Sequence, residues 1–197
     1  ADNITNDSSD MVNDIGTDSA GATTSAELIS AEAIIDTAYT MGDNASVLKT
    51  LIVHPTVMKR LKKLNLIDFI PDSEGRIAFE RYLGYLVVED DGVYTTTGTN
   101  RTDYWSYLIG PGAFGWAEVP TATPVEVERD PEKGNGMGVE TLYTRRQFVM
   151  HPYGIKWTDT SVGGEFPSNA ELATAGNWNR VYEERKQIPI AALVTNG

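Results

Sequence analysis

The stretch Gly110–Gly115 has the glycine spacing of a site that binds a dinucleotide cofactor. In such a motif the third glycine opens a helix, and the N-terminal amides of that helix hold a pyrophosphate. Here Pro111 fixes one backbone dihedral angle and lacks an N–H donor, and Pro120 follows Gly115 too closely for a phosphate-binding helix. The stretch therefore predicts two strands that meet at a glycine-rich corner, and no cofactor site is predicted.

His54 and His151 are the only imidazole bases that the chain offers. Both precede a proline, which favours an extended backbone at the end of a strand. Neither has a second histidine three or four residues away, so a helical metal-binding pair is excluded. We interpret both as turn residues, with a polar site at either as the less favoured alternative.

Two acidic clusters raise the question of a metal ion. Asn13, Asp14 and Asp18 lack the carboxylate spacing of a calcium loop, and no glutamate closes it. The run Glu89–Asp91 offers ligands for a hard cation, but a charged hairpin turn is the favoured interpretation. We predict no metal site, no cofactor and no catalytic residue.

Aromatic and basic side chains suggest two kinds of binding surface. The aromatic residues fit either a sugar-binding platform or, preferably, core and interface positions: Tyr104, Trp105, Tyr107, Trp116, Tyr153 and Trp157. The basic cluster has no interleaved aromatic residues, which favours a solvated face or a contact with an acidic neighbouring subunit over nucleic acid: Lys59, Arg60, Lys62 and Lys63.

Composition narrows the class of protein. The net charge of −12, from 16 basic and 28 acidic residues, argues against a nucleic-acid reader, because such proteins bind by neutralising phosphates. The absence of cysteine excludes disulfides, thiolate nucleophiles and cysteine-bound zinc, and it fits a reducing cytosol.

No apolar run approaches the ~20 residues of a membrane span. The N-terminus carries no export signal. The first residue is Ala1, so we expect a fragment.

The first third of the chain predicts two helices on either side of a strand. Residues 1–23 are polar and acidic and predict an exposed, flexible loop or tail. The capping box Thr24-x-x-Glu27 predicts the start of a helix whose apolar face is Leu28, Ala31, Ile35 and Ala38. A strand at Leu51–Val53 precedes a second helix from Thr56 to about Leu64, with Val57, Leu61 and Leu64 inward.

The pattern in the rest of the chain predicts mainly strands. Val125–Glu128 alternates as a half-exposed strand should, and Gly134–Gly138 predicts a mobile connection. Val139–Met150 contains no breaker and predicts one long strand with different neighbours along its length. A short helix at Ser168-x-x-Glu171 and a closing strand at Ile188–Val194 complete an α+β class.

The order of these segments resembles the major capsid proteins of tailed bacteriophages, which have the Hong Kong 97-type coat-protein fold. The resemblance spans Ser25 to Trp157 and rests on a colinear series: Met41–Asp43, Leu51–Pro55, Asn65–Ile70, Tyr82–Gly84, Val87–Asp91, Ile109–Trp116, Val125–Asp130 and Thr144–Trp157. The segments Asn177-Trp178 and Val181-Tyr182 also fit it. No single motif is specific to the family.

The resemblance implies a central A domain, a sheet flanked by helices, together with part of a peripheral P domain. The expected organisation is an acidic loop at 1–23, an A-domain-like core at 24–135, a long P-domain-type strand at 136–160 and a C-terminal helix and strand at 161–197. The N-terminal arm, extended loop and spine helix of the family are not found, and neither partner of the lysine–asparagine cross-link of some relatives can be placed.

The implied function is structural and not enzymatic. Copies of the chain would form hexamers and pentamers in the icosahedral shell of a phage or prophage, in the virion and, before assembly, in the host cytoplasm. A scaffolding protein, portal and maturation protease are further implied partners; packaged DNA is enclosed non-specifically and no membrane is involved. Loops near Asp90–Asn100 or Gly134–Gly138 are expected at the A-domain tip. The alternatives are a carbohydrate-active hydrolase and another phage structural or attachment module.

Overall fold

The computed structural model describes residues 9–64, 67–71, 77–164 and 166–197. These residues form two compact units. The core unit comprises the described part of Ala1–Ala113 together with Tyr153–Gly197, and the ribbon unit is Phe114–Pro152. Residues 1–8 of the predicted N-terminal loop, and Asn65 and Leu66 of the colinear series, lie outside the described residues.

Strands dominate both units, and helices are few. The α-helices are α1 Ala31–Tyr39, α2 Pro55–Lys63 and α3 Asn169–Ala173. The strands are β1 Val12–Asp14, β2 Thr50–Val53, β3 Asp68–Pro71, β4 Ile77–Tyr82, β5 Tyr85–Glu89, β6 Thr95–Thr97, β7 Thr102–Ile109, β8 Phe114–Val119, β9 Val125–Asp130, β10 Val139–Thr144, β11 Gln147–Pro152, β12 Ile155–Trp157, β13 Trp178–Arg180 and β14 Ile190–Asn196. The α+β class predicted from the sequence is therefore confirmed.

The core unit is built on a mixed sheet of eight strands. Their order is β1-β14-β7-β2-β5-β4-β3, with β6 paired to β7. The predicted closing strand lies inside this sheet as β14, between β1 and β7, and all seven of its residues are buried. Strand β1 pairs in parallel with β14, so residues 12–14 belong to the sheet although their polar sequence predicted a loop. A separate small ladder joins β12 to β13.

Helix α1 begins later than its sequence predicts. The Thr24 capping box forms, since the Glu27 carboxylate accepts the Thr24 N–H at 2.6 Å, but it caps only a 3₁₀ turn at Ser25–Glu27. The chain then stays extended so that Ile29 enters the core, and the Ser30 hydroxyl caps α1 by accepting the Ala33 N–H at 3.2 Å.

The buried face of α1 also differs from the predicted face. Ala33, Ile34, Thr37 and Ala38 are buried, whereas Ile35 is 43% exposed. The prediction was wrong because the new starting point of the helix changes which positions face the sheet. Of the predicted face, Ala38 is buried and Ala31 is partly buried and packs against the core cluster, whereas Leu28 precedes the helix.

Helix α2 agrees more closely with its prediction. Pro55 occupies its first turn, where the missing N–H costs nothing, and Val57, Met58 and Leu61 are buried. Leu64 is the C-cap and is 46% exposed, so its predicted inward position is wrong. Lys59, Lys62 and Lys63 lie on the exposed side, as predicted.

The two helices cover one face of the core sheet. Alternation along the strands directs Leu51, Leu108 and Leu193 to that face, where they join the buried residues of α1 and α2 in one cluster. A second cluster on the opposite face contains Met11, Ile188 and Ala192. Burying both faces of β14 makes that strand the centre of the unit.

The ribbon unit consists of two antiparallel ladders, β8 with β11 and β9 with β10. The predicted single strand Val139–Met150 is therefore wrong: it is divided at Arg145 and Arg146. These two residues lie opposite five residues of the other strand, 120–124. The pairing register therefore shifts by three residues between the two ladders. The chain nevertheless forms one long hairpin, with its turn at Gly134–Gly138.

The glycine-rich corner connects β7 to β8 without a helix. Gly112 has a φ of +77°, which a residue with a Cβ adopts only with strain, and β8 begins at Phe114. The predicted corner is therefore confirmed. The two strands do not pair with each other: β7 pairs with β2, β6 and β14, while β8 pairs with β11.

Arg185 ties several loops of the core unit together. Its buried guanidinium donates to the carbonyls of Ile188 and Ile190, both at 2.7 Å, to the Asp10 carbonyl at 3.3 Å and to the Thr40 hydroxyl at 3.2 Å. Burial lowers the pKa of Arg185 to about 10, so it stays protonated at neutral pH. This side chain holds the start of β14 against the ends of α1 and the N-terminal segment.

We expect Arg185→Met to lower the free energy of unfolding by about 2–4 kcal/mol, because it leaves several buried acceptors without a donor while it keeps the apolar stem. Urea unfolding measures this change. The matched control is Lys186→Ala, at a side chain that is 46% exposed, and its effect should stay within ~0.5 kcal/mol. A loss below ~1 kcal/mol for Arg185→Met would contradict the assignment.

Candidate assembly surfaces

The two histidines belong to different units: His54 follows β2 at the start of α2, whereas His151 lies within β11 and not in the predicted turn. His54 is the N-cap of α2: its Nδ1 accepts the Thr56 N–H at 3.1 Å, and its Nε2 lies 3.3 Å from a carboxylate oxygen of Asp91. Both ring nitrogens of His54 are therefore engaged in holding the start of α2. His151 lies on β11 opposite Gly115.

The run Glu89–Asp91 does not converge on one point. Glu89 lies 3.7 Å from the Lys62 ammonium, Asp90 accepts the Gly92 N–H at 2.8 Å, and Asp91 pairs with His54. Each carboxylate thus has a different partner, as in a charged turn. Within the described ranges, no three histidine or acidic side chains gather as metal ligands would.

The acidic residues of the N-terminal segment fasten it to the β6–β7 turn. Asp18 accepts the N–H groups of Thr99, Asn100 and Arg101 at 2.8, 2.7 and 3.0 Å. These bonds, led by the one from Asn100, lower the pKa of Asp18. Residues 17–27 are therefore attached to the sheet, whereas the sequence predicted a free loop up to residue 23.

Glu27 completes the same attachment. Its carboxylate accepts the Thr17 hydroxyl and the Thr24 N–H, and it lies 2.8 Å from the Arg101 guanidinium. The Thr17 hydroxyl, followed by the Thr24 amide, lowers the pKa of Glu27 from 4.5 to about 2. Sequence reasoning identified Glu27 only as a capping residue, because Arg101 is distant in sequence.

The aromatic residues proposed as a platform are distributed among separate places. Because successive side chains on β7 point to opposite faces, Tyr104 packs against His54, while Trp105 meets Tyr94 edge to face and stacks on Tyr107. In the core unit Tyr153 pairs with Tyr182, and Trp157 with Trp178. Trp116 belongs to the ribbon unit. The described residues therefore form no single aromatic platform.

The ladder of β8 and β11 carries an apolar face that is open to solvent. Trp116 pairs across the ladder with Met150, and these side chains are 64% and 62% exposed. Phe114 and Phe148 lie on the same face by the two-residue period of the strands, and both are exposed. Large apolar side chains concentrated in this way typify a docking surface.

The ladder of β9 and β10 also has exposed apolar side chains on one face, and its other face carries polar side chains. Val127 and Leu142 are paired, and each is 63% exposed. On the other face Tyr143 donates to Glu128 at 3.1 Å. The predicted alternation of β9 is confirmed, but its predicted half-burial is wrong, since nothing in the described chain covers the apolar side.

We name the exposed apolar residues of the two ladders the ribbon face: Phe114, Trp116, Val125, Val127, Leu142, Phe148 and Met150. Two strands alone are at best marginally stable in water, because they lack a second layer that would bury their apolar side chains. The ribbon face is therefore the strongest candidate for a functional surface. The alternating pattern of Val125–Glu128 was its only signal in the sequence.

A recess of about 460 Å³ in the ribbon unit bears on the hydrolase alternative. Its lining includes Arg145 and Arg146 but a single carboxylate, that of Glu118. Glycoside hydrolysis generally requires a pair of carboxyl groups across the scissile bond, and this recess does not supply that pair. In the part of the chain that the structure describes, no helix has the length and apolar character to cross a membrane.

Comparison with known proteins identifies a relative. No family model matches the chain. The major capsid protein of Bacillus phage SPP1 is 37% identical to it over 161 residues, which cover 81% of this chain and 48% of that protein. The chain thus spans about half the length of this relative.

We expect the Glu27 attachment to loosen in acid. A carboxylate with a lowered pKa stabilises the fold fully above its ordinary value of 4.5 and loses this contribution as the pH falls towards about 2. In an NMR titration the Thr24 amide and Arg101 signals should shift with a midpoint near 2. Glu27→Gln should remove this transition, whereas Glu32→Gln, at an exposed position of α1, should preserve it. A midpoint near 4.5 in the unsubstituted chain would contradict the assignment.

Proposed function

This chain is a relative of the phage major capsid proteins, and from that premise we propose that it is a structural coat protein. Copies of it would assemble into the icosahedral head shell of a tailed phage or prophage. The identity of 37% over most of the chain supports this function at the level of sequence.

The observation that carries the proposal is the ribbon face. A monomeric protein gains nothing by exposing Trp116, Phe148 and Met150 on a two-stranded ribbon, since each exposed apolar side chain forgoes roughly 1.5–3 kcal/mol of burial. A coat subunit instead buries such surfaces when copies pack together. Repetition of one contact around a closed shell also makes a modest contact sufficient.

We further propose the Hong Kong 97-type fold for the complete subunit. The eight-stranded sheet with α1 and α2 on one face supports an A-domain-like core, and the long ribbon supports a P-domain-type element. The boundaries 24–135, 136–160 and 161–197 stay predictions. Strand pairing groups residues 114–135 with 136–152 in one compact unit, because β8 pairs with β11 and β9 with β10.

The proposed partners follow from the same function. Copies of the chain would form hexamers and pentamers, with a scaffolding protein, a portal and a maturation protease as additional partners during assembly. Packaged DNA would be enclosed without specific recognition, in keeping with the net charge of −12. The protein would reside in the virion, and in the host cytoplasm before assembly.

The A-domain tip is proposed to include Asp90–Asn100 or Gly134–Gly138. In the first loop the turn after β6 is held by Asp18, which fixes its backbone. In the second, Met137 is 85% exposed at the turn of the long hairpin. Charge substitutions at the true tip should disturb assembly of the complete protein.

Electron microscopy of the complete gene product, expressed alone, tests the proposed function. Closed shells or rings of subunits are expected. A monodisperse monomer or small oligomer that hydrolyses carbohydrate would instead establish the enzyme alternative. A monomer that binds another phage component without assembling would favour an attachment module.

We expect Leu142→Thr and Phe148→Thr to weaken assembly and to leave the subunit folded. Both side chains are already exposed, so the free energy of unfolding should change by less than ~0.5 kcal/mol. The critical concentration for assembly, measured by light scattering, should rise about tenfold or more, because each lost contact recurs in every subunit.

Val149→Thr is the matched control for Phe148→Thr. Val149 is the next residue on β11, is also exposed, and lies on the opposite face of the ladder. It should leave the critical concentration within about twofold of the unsubstituted value, since surface changes away from a contact usually have small effects. Equal effects of the two substitutions would remove the ribbon face from the proposed assembly surface.

A further inference from the structure

We propose that α1 of one coat subunit docks by charge complementarity on α2 of a neighbouring copy. This contact rests on the proposed coat function and adds a specific partner surface to it. The contact uses the exposed sides of the two helices, both of which belong to the core unit.

The exposed side of α1 is an acidic stripe with apolar residues in it. Glu32, Ile35, Asp36 and Tyr39 follow one another at helical spacing, and all four are exposed. Tyr39 is 67% exposed, which is unusual for an aromatic residue without a partner surface. No lysine or arginine lies within α1, so no basic residue interrupts this stripe.

The exposed side of α2 is the basic counterpart. Lys59, Lys62 and Lys63 are exposed, and residues 54–67 contain no acidic side chain. Lys62 is already paired with Glu80 at 3.0 Å, and Arg60 donates to the Ile29 carbonyl at 3.3 Å. Lys59 and Lys63 are left without a carboxylate partner among the described residues.

The unpaired charges of the two helices match in spacing. Glu32 and Asp36 are four residues apart, as are Lys59 and Lys63, so each pair spans about 6 Å along one side of its helix. Like charges at this spacing destabilise the helix that carries them. When the acidic pair of one copy meets the basic pair of another, the attraction between them offsets the repulsion within each pair.

A recess beside the lysines suits the exposed tyrosine of the acidic stripe. It has a volume of about 450 Å³, and Pro55 and Met58 contribute apolar surface to its lining. The rest of the lining is three lysines and one carboxylate: Lys59, Lys62, Lys63 and Glu89. Tyr39 follows Asp36 by one helical turn. A tyrosine ring with its hydroxyl directed to water is well suited to such a partly polar recess.

The contact joins two different surfaces, and two symmetries can provide that pairing. A two-fold dimer would form the contact twice, with α1 on α2 and α2 on α1. Head-to-tail packing instead places the acidic stripe of each copy against the basic stripe of the next, and such contacts close into rings when the rotation permits. We assign the contact to such a ring, because the proposed coat function requires rings of subunits.

Charge reversal in the complete gene product tests this contact. Glu32→Lys with Asp36→Lys makes both stripes basic, and Lys59→Glu with Lys63→Glu makes both acidic. Each double variant should raise the critical concentration for assembly about tenfold or more at 0.15 M salt, and much less at 1 M salt, where charges are screened. The quadruple variant, which exchanges the two signs, should restore assembly.

Mixing the two double variants gives a sharper result. In an alternating ring every junction joins opposite charges, so an even ring closes but an odd ring always retains one mismatch. Electron microscopy of the mixture should show six-membered rings restored and five-membered rings absent. Equal recovery of both, or of neither, would overturn the head-to-tail contact.

Glu183→Lys with Glu184→Lys is the matched control. It changes the net charge as much as the acidic-stripe reversal does, at two exposed residues on another segment of the core unit. It should leave assembly within about twofold of the unsubstituted protein, since exposed charges away from a contact contribute little. Circular dichroism should show that every variant is folded; if a reversal variant unfolds, Glu32→Gln with Asp36→Asn repeats the test without introducing repulsion.

Cysteine cross-linking provides an independent measurement, because the chain contains no cysteine. Asp36→Cys combined with Lys63→Cys should give a ladder of disulfide-linked oligomers under mild oxidation, and its absence in assembled protein would overturn the contact.

If the unsubstituted protein forms no assemblies, the proposed function fails and this contact with it. If it assembles and the reversals have no effect, only the contact fails. Loss of assembly on nuclease treatment would assign the basic stripe to nucleic acid instead.

Discussion

A two-stranded ribbon cannot bury its own apolar side chains, and this constraint explains the exposed apolar surface of the ribbon unit. A sheet needs a second layer to remove one face from water, and the described part of the ribbon unit has none. Trp116, Val127, Leu142 and Met150 are therefore exposed by topology and not by a local irregularity. An apolar face left open in this way suits a subunit that packs against copies of itself, as the proposed function requires.

The core unit satisfies its own requirements. Strand β14 lies between two neighbours and is buried on both faces, and the Arg185 guanidinium satisfies the carbonyls where that strand begins. Asp18 and Glu27 attach the N-terminal segment to the same sheet. The core unit thus buries its own apolar residues, whereas the ribbon unit leaves many exposed, and the proposed contact between α1 and α2 uses Lys59 and Lys63, which have no carboxylate partner among the described residues.

Long-range pairing limited what could be predicted. The position of α2 follows from Pro55 and its apolar spacing, both of which are local. The start of α1 could not be predicted, because Ile29 is kept extended by burial among residues distant in sequence. The division of the predicted strand at Arg145 and Arg146 depends on residues 120–124 of the opposite strand, and no pattern within 139–150 encodes it.

Four features could be predicted from the sequence, because composition, turn chemistry and the order of segments are local properties: the α+β class, the glycine-rich corner, the basic side of α2 and the resemblance to phage coat proteins. Which of the alternating strands are covered could be learned only from the folded chain. Alternation specifies that the side chains of Val125 and Val127 share a face, but burial of that face depends on whether a second layer of the fold reaches it. The ribbon face became visible only when the structure showed no such layer among the described residues.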